Sequence, residues 1–349
     1  MNALLKVLSS LFLMGVRFRQ AAYRRGWLRT RRLNRPVISI GNLSVGGTGK
    51  TPLVTLAAGA LQAAGRRPCI LTRGYGRRRG RSPTLLDPED GLVYDPREVG
   101  DEPAALAKAL PGVPLAVGAD RFRGGEMAER AFRPGVFLLD DGFQHLALHR
   151  DLDVVLLDVT APEADLALLP AGRLREPFQA LERAHWVILT RTELGDAGGM
   201  QARVEAANPH ARIFRCSTKL TALLEARSGL PQPPECLRGK KVAAFCGIGN
   251  PRAFFADLRS WGYEVAAERA FPDHHLYRTR DLESISALAQ VAGADALLTT
   301  EKDLMNLPPR WETALPLFAS CIRLEIENRV EFDRALLAAV DSAAARGKV

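Results

Sequence analysis

The segment 36–54, PVISIGNLSVGGTGKTPLV, runs from a β-branched stretch into a glycine-rich turn, then into a helical pattern opening at Lys50-Thr51. That order has a chemical meaning. Backbone N–H groups at a helix N-terminus face a phosphate chain, glycines let the backbone approach, and a lysine reaches the terminal phosphates. Thr51 stands where its hydroxyl can hold magnesium. The pattern G-x-x-x-x-G-K-[ST] requires glycine at position 44, where this chain has Ser44, although Gly46 and Gly47 supply freedom inside the loop. The bland alternative is a strand-to-helix turn with an incidental lysine.

A phosphate loop needs a carboxylate at the end of a neighbouring strand, and VFLLDDGFQH (136–145) offers Asp140 and Asp141 after an apolar run. Adjacent acids repel, and are tolerated more easily where a cation or hydrogen-bond donors await them. Otherwise one of them caps the next turn. Moving a phosphoryl group to an alcohol also needs a base near the attacking oxygen. Asp101 in Gly100-Asp101-Glu102-Pro103 is one candidate, its alternative role being an N-cap with first-turn charge. Phe271-Pro272-Asp273-His274-His275 is another, as a histidine partner to a carboxylate. With no third His or Cys nearby, that pair of histidines is a poor metal site. GIGNP (247–251) lacks the third glycine of a dinucleotide turn and reads as a plain turn.

The elements that position these residues alternate. Strands are expected at 37–41, 69–72, 114–117, 136–139, 153–157 and 186–190, with helices at 51–64 and 101–110 between them. Strand–helix alternation implies a mostly parallel sheet covered on both faces. Residues 229–235, beginning GLPQPP, read as a linker. Beyond it come strands at 241–246, 263–268, 296–299 and 317–323, a helix at 251–261 and a last helix near 330–345. The expected organisation is a basic amphipathic region at 1–35, a phosphate-loop domain at 36–228, and a smaller α/β domain at 236–349 whose last helix can return to the first.

Residues 1–86 contain 17 Lys or Arg and no Asp or Glu, so the formal net charge of +9 divides into +17 there and −8 in the remainder. Such asymmetry implies an anionic partner: phosphate, nucleic acid or anionic lipid. Between Lys6 and Arg17 lie ten uncharged, mostly apolar residues, too few for the roughly 20 that span a bilayer. No small-residue cleavage site follows, so a signal peptide is not expected. On a helical wheel Leu4, Leu8, Leu11, Gly15, Phe18 and Ala22 oppose Lys6, Ser10, Arg17 and Arg24. That favours an interfacial helix on anionic lipid over a docked helix with solvated arginines. A nucleic-acid arm would not need the Leu/Phe run. Apolar residues make up 47% of the 349, which excludes a disordered chain. Five scattered cysteines without a CxxC pair exclude a disulfide framework or structural zinc.

Unusual strings recur in a fixed order: ISIGNLSVGGTGKTP, LTRGYGR (71–77), GDEP (100–103), LDDGFQH (139–145), AGRLREP (171–177), FCGIGNP (245–251), FPDHH (271–275) and TTEKD (299–303). With them the chain resembles the tetraacyldisaccharide 4′-kinase family of lipid A synthesis over nearly its whole length. The resemblance implies a P-loop NTPase-like α/β fold with a second, smaller α/β domain. It implies an enzyme that uses ATP and Mg²⁺ to phosphorylate the 4′-hydroxyl of lipid A disaccharide 1-phosphate, giving lipid IV-A. It further implies a monomer at the cytoplasmic face of the inner membrane, peripheral or monotopic, with no nucleic-acid partner. By resemblance Ser44, Val45, Gly46, Gly47, Thr48, Gly49, Lys50 and Thr51 cradle the nucleotide, Lys50 also serving catalysis. Asp101 and His274 match the acid–imidazole pair acting on the hydroxyl. Asp140 and Asp141 match the carboxylates at the magnesium and active centre, and Glu176 a further acid supporting the metal alongside Thr51. Arg73 and Arg77 to Arg79 are candidates for the substrate's 1-phosphate or the nucleotide, the alternative being a solvated basic loop. The competing reading is a membrane-associated P-loop switch. A guanine reader of the N-K-x-D type would then follow a strand, yet 186–190 is followed by Arg191-Thr192-Glu193.

Overall fold

The computed structural model describes residues 3–74, 82–87, 94–273, 275–308 and 310–346. Arg77 to Arg79 and His274 lie outside the described residues. The chain divides into two units, one formed by 1–217 with 326–349, the other by 218–325.

The first unit opens with helix α1 (Ala3–Arg24), followed by β1 (Val37–Asn42), α2 (Lys50–Ala63), β2 (Pro68–Thr72) and β3 (Thr84–Leu86). Next come α3 (Pro96–Val99), α4 (Asp101–Ala109), β4 (Leu115–Val117), α5 (Arg121–Phe132) and β5 (Val136–Asp140). Then β6 (Leu152–Asp158), β7 (Trp186–Thr190), α6 (Ala197–Ala207) and β8 (Arg212–Glu225) complete the sheet in the order β8-β7-β6-β1-β5-β2-β4-β3. All of these pairings are parallel except β3 with β4. Every residue of β1, β2, β5, β6 and β7 is buried, as expected for near-continuous apolar strands covered on both faces. Helix α2 packs Leu53, Val54, Ala57, Ala58 and Leu61 inward, the spacing of one helical face. Register matters most at the centre, where Ile40 of β1 sits beside Asp140 of β5.

The second unit contains β9 (Pro231–Gln232), β10 (Lys241–Cys246), α7 (Pro251–Ser260), β11 (Glu264–Ala270) and α8 (Thr279–Val291). It continues through β12 (Ala296–Thr300), α9 (Glu301–Met305) and β13 (Leu317–Ile326), with parallel pairing in the order β11-β10-β12-β13. The chain crosses between units inside β8 and again at the end of β13. The crossing therefore falls at 217/218, earlier than the expected linker at 229–235. Within that Pro-rich segment, β9 pairs with β8, so the second unit includes it.

The last helix, α10 (Arg329–Arg346), belongs to the first unit. The Phe332 ring lies 5.8 Å from that of Trp186 and 5.3 Å from that of Phe214, both edge-on, the arrangement aromatic quadrupoles favour. Several elements go beyond those expected from sequence, and for two of them the reason is identifiable. Helix α5, RFRGGEMAERAF, carries two internal glycines that weaken its helical pattern, and β8 mixes polar with apolar residues along fourteen positions.

Candidate active site

At the end of β1 the chain turns through 43–49 and enters α2 at Lys50. Gly49 caps that helix in the left-handed region (φ 89°), and no side chain caps the N-terminus. Only glycine adopts this conformation without steric cost. A helix start left without a side-chain cap directs its first N–H groups and the positive end of its dipole outward, the condition for binding an anion.

Asn42, fully buried, organises the loop from below. Its Nδ2 donates to Thr48 Oγ1 at 3.0 Å, and its Oδ1 accepts from Lys50 Nζ at 3.1 Å. The Thr190 hydroxyl at the end of β7 donates to the Thr48 carbonyl at 3.3 Å. Along the other edge, Val45 N–H donates to the Arg173 carbonyl and Arg175 N–H to the Leu43 carbonyl, at 2.8 and 2.7 Å. The 171–177 segment thus runs alongside the phosphate loop, which explains why AGRLREP accompanies it. Thr51 is half-buried in the first turn of α2.

Asp140 and Asp141 follow β5 but have opposite environments. Asp140 is buried and accepts from the Thr72 hydroxyl at 3.1 Å. Burial, with the charges of Glu102 and Asp141, pushes its carboxyl up to about 7. Asp141 adopts φ 50°, a left-handed conformation that a non-glycine residue keeps only where its surroundings enforce it. Burial raises its carboxyl, but Lys50 and Arg175 together outweigh that and hold it below the usual range. Lys50 Nζ stands 3.5 Å from Oδ1 and Arg175 Nη1 2.7 Å from Oδ2. Asp141 Oδ1 is buried, with the Lys50 ammonium at the limit of hydrogen-bond distance.

A cleft of about 520 Å³ adjoins these groups, lined by Arg19, Arg73, Arg121, Arg175, Asp141 and His145, with Val45 of the phosphate loop. Four arginines from four parts of the first unit face one carboxylate. Guanidinium groups so gathered suit multiple phosphate oxygens. His145 is held neutral: burial and the charges of Arg121, Arg150 and Arg19 depress its imidazole to about 4. It can therefore donate or accept a hydrogen bond in the cleft without adding charge.

The other expected site residues have partners of their own. Glu176, only 2% exposed, accepts from Arg183 Nη2 at 2.8 Å and from Gln20 Nε2 of α1 at 3.1 Å. Among the described residues no group of three or more His, Cys, Asp or Glu is gathered tightly enough to hold a metal, so Asp140, Asp141 and Glu176 form no three-carboxylate cage. The guanidinium of Arg183 instead neutralises Glu176. Asp101 is buried at the start of α4, its Oδ1 accepting from Glu102 N–H at 2.9 Å. The roles of Asn42, Gln144, His145, Arg19, Arg121 and Arg175 were missed from sequence. Gln144 Nε2 donates to the Asn42 carbonyl at 2.9 Å. Its place in LDDGFQH, and that of Arg175 in AGRLREP, were the available signals.

Helix α1 carries an exposed apolar stripe besides its covered side. The covered side carries Leu5, Phe12, Leu13 and Val16 and is tied down by two polar side chains: Ser9 Oγ donates to the Leu168 carbonyl and accepts from Ala171 N–H, and Arg19 donates to the Gln144 carbonyl. Leu4, Val7, Leu11, Met14 and Phe18 are each more than half exposed, one stripe at helical spacing. Among the described residues no helix is long and apolar enough to cross a membrane.

A family model for tetraacyldisaccharide-1-P 4′-kinase (LpxK) matches residues 1–341. The tetraacyldisaccharide 4′-kinase of Geobacter metallireducens is 40% identical over 334 residues, covering 96% of this chain and 97% of that protein. The kinase of the same name from Koribacter versatilis is 42% identical over 329 residues, covering 92% and 94%. The crystal structure of the "apo" form of LpxK from Aquifex aeolicus in complex with ATP superposes with a TM-score of 0.70 at 33% identity, covering 95% of this chain and 97% of that one.

Proposed function

The chain belongs to the tetraacyldisaccharide 4′-kinase family, and from that premise we propose how this molecule works. It is a kinase that transfers the γ-phosphate of ATP to the 4′-hydroxyl of tetraacyldisaccharide 1-phosphate, forming lipid IV-A. The observation that carries the reading is the convergence of the phosphate loop, the Lys50–Asp141–Arg175 array and the arginine-lined cleft in one unit. Phosphoryl transfer asks little covalent chemistry of a protein; positioning and charge stabilisation do most of the work.

In this reading the backbone of Ser44 to Thr51 cradles the ATP phosphates, and Lys50, braced by Asn42 and Asp141, presents its ammonium to them. Thr51, Asp140 and Asp141 offer only oxygen donors, the set a hard cation prefers. The buried Oδ1 of Asp141, held among the described residues by no hydrogen bond shorter than the 3.5 Å to Lys50, supports the fit. Bound by these residues, magnesium supplies neutralisation of charge on the β- and γ-phosphates. Glu176 is proposed to support the site through Arg183 and α1. Arg19, Arg73, Arg121 and Arg175 bind and orient phosphate, while neutral His145 contributes a hydrogen bond. Asp101 is proposed to accept the hydroxyl proton with His274 as its functional partner, so that losing either costs nearly as much as losing both.

We further infer that the protein works as a monomer at an anionic membrane surface, the cytoplasmic face of the inner membrane, and not on nucleic acid. The outward apolar stripe of α1, with Trp27 beside Phe18 and Arg25 over the Trp27 ring, supports an interfacial helix that reaches a lipid-anchored headgroup. The decisive experiment is transfer of labelled phosphate from ATP to purified tetraacyldisaccharide 1-phosphate. The surface reading is tested by replacing Leu4, Leu11 and Phe18 with serine, which leaves the docking contacts of Ser9, Arg19 and Gln20 intact. Vesicle binding should then fall while ATP affinity holds, and unchanged binding would sink the idea.

A further inference from the structure

Three strings in the second unit have no part in the chemistry above: FCGIGNP, TTEKD and the flanks of FPDHH. The fold brings them together. Asp303, fully buried, accepts from Gly247 N–H at 2.7 Å and from the Tyr277 hydroxyl at 2.9 Å through Oδ1, and from the Thr300 hydroxyl at 2.6 Å through Oδ2. Its neighbour Lys302 pairs with Asp273 at 3.4 Å. Consecutive residues of TTEKD therefore grip the 271–277 segment at two points, one immediately before position 274 and one three residues after it.

The residue immediately after position 274 is held as well. His275 Nε2 lies 2.9 Å from Asp281 Oδ2 at the start of α8. Its ring stacks on Phe271 with centroids 4.6 Å apart and meets Tyr277 edge-on at 5.0 Å. Backbone bonds close the ends, Phe271 N–H to the Cys246 carbonyl and Tyr277 N–H to the Asn306 carbonyl. Beneath the segment, a Cβ at Gly247 would stand 3.0 Å from His275 Cβ and 3.1 Å from the Pro272 carbonyl oxygen. A side chain at the first glycine of GIGNP would therefore press on this segment and on Asp303 and make them shift by a few tenths of an ångström.

We propose that Asp303, Tyr277 and Gly247 are positioning residues for phosphoryl transfer, a clamp that holds residues 271–273 and 275–277 on either side of position 274. The clamp rests on the assignment of His274 as the functional partner of Asp101, the acceptor of the hydroxyl proton. A loop would otherwise sample many backbone conformations, and a residue that partners a general base acts only while it stays within hydrogen-bond reach. The exposed Lys302–Asp273 pair contributes little alone; the buried Asp303 network carries the constraint.

The test compares Tyr277→Phe, Gly247→Ala, His274→Ala and the His274→Ala/Tyr277→Phe double variant in the full chain. Thermal melts check that each is folded. Tyr277→Phe and Gly247→Ala should each lower kcat about tenfold or more through misplacement, while KM for ATP stays within about twofold, since uniform binding is untouched. In the His274→Ala background Tyr277→Phe should add almost nothing. A full multiplicative loss in that background would show a general structural effect and overturn the clamp. So would a folded Gly247→Ala protein with wild-type kcat beside a crippled His274→Ala. If His274→Ala itself retains wild-type kcat, the assignment of His274 fails, and the clamp loses its purpose with it.

Discussion

Two strand–glycine–helix turns, one in each unit, begin from similar sequence and end in opposite chemistry. Both β1 and β10 are buried parallel strands that run into a glycine turn and a helix with proline in its first turn. At the first turn, Gly49 starts α2 with no side-chain cap, and Lys50 projects beside Asp141. At the second, Asn250 caps α7 by accepting from Ala253 N–H, and Gly247 N–H is committed to buried Asp303. A helix start becomes an anion site when its donors are left for a ligand and a cation stands beside it. The same geometry with its donors satisfied internally is a structural joint.

The largest effect that would sharpen this contrast is at Lys50. Lys50→Ala should lower kcat by about a hundredfold or more, since the ammonium acts on charge in the transition state, with the melting temperature nearly unchanged. Near-normal transfer by a folded variant would break the comparison at its root. Asn42→Ala comes next. It removes the acceptor for Lys50 and the donor to Thr48, so both ATP affinity and kcat should fall, kcat by about tenfold. Isothermal titration against steady-state rates separates the two losses.

A pH series on Asp140 probes the charge stored at the first turn. Its carboxyl is pushed up to about 7 by burial and by Glu102 and Asp141. Between the unfolded value near ~4 and about 7 the folded state binds the extra proton, so this group destabilises progressively as pH rises through that window. Asp140→Asn should therefore raise the melting temperature of the metal-free protein at pH 8, with little change at pH 4. Equal shifts at both pH values would contradict the assigned environment. The smallest effect is expected at Asn250. Asn250→Ala should cost about 1 kcal/mol through the lost cap while leaving ATP affinity unaltered, because no phosphate is bound there. Weakened ATP binding would mean that the two turns are not chemically distinct.

Much of the first turn was legible in the amino-acid order, because its chemistry is local. Glycines at fixed offsets, a strand before and a helix after, and Lys50-Thr51 at the junction lie within about twenty residues of one another. Asp140 was legible for the same reason, as the end of an apolar run. The environment that divides Asp140 from Asp141 was not. It depends on Thr72, Glu102 and Arg175, which reach the pair from separate strands and loops. Glu176 shows the converse: its string suggested a metal-supporting acid, and its pairing with Arg183 and Gln20 came only with the fold.

The sequence by itself determined the α/β alternation, the phosphate loop, the concentration of positive charge before Asp87 and the amphipathic character of the first helix. These are properties of spacing and composition, and hydrophobic periodicity over a few residues suffices to encode them. Tertiary structure decided the rest. It decided that α1 is tied down through Ser9 and Arg19, which meet Leu168, Ala171 and Gln144, while a second apolar stripe at Leu4, Val7, Leu11, Met14 and Phe18 stays exposed. It decided that the chain changes units inside β8 and that α10 returns to the first, through the packing of Phe332 on Trp186 and Phe214. It also decided that four arginines distant in sequence face one cleft. Such convergence depends on strand order and register, in which Ile40 lies beside Asp140 although they are far apart in sequence, and no local pattern specifies which strands become neighbours.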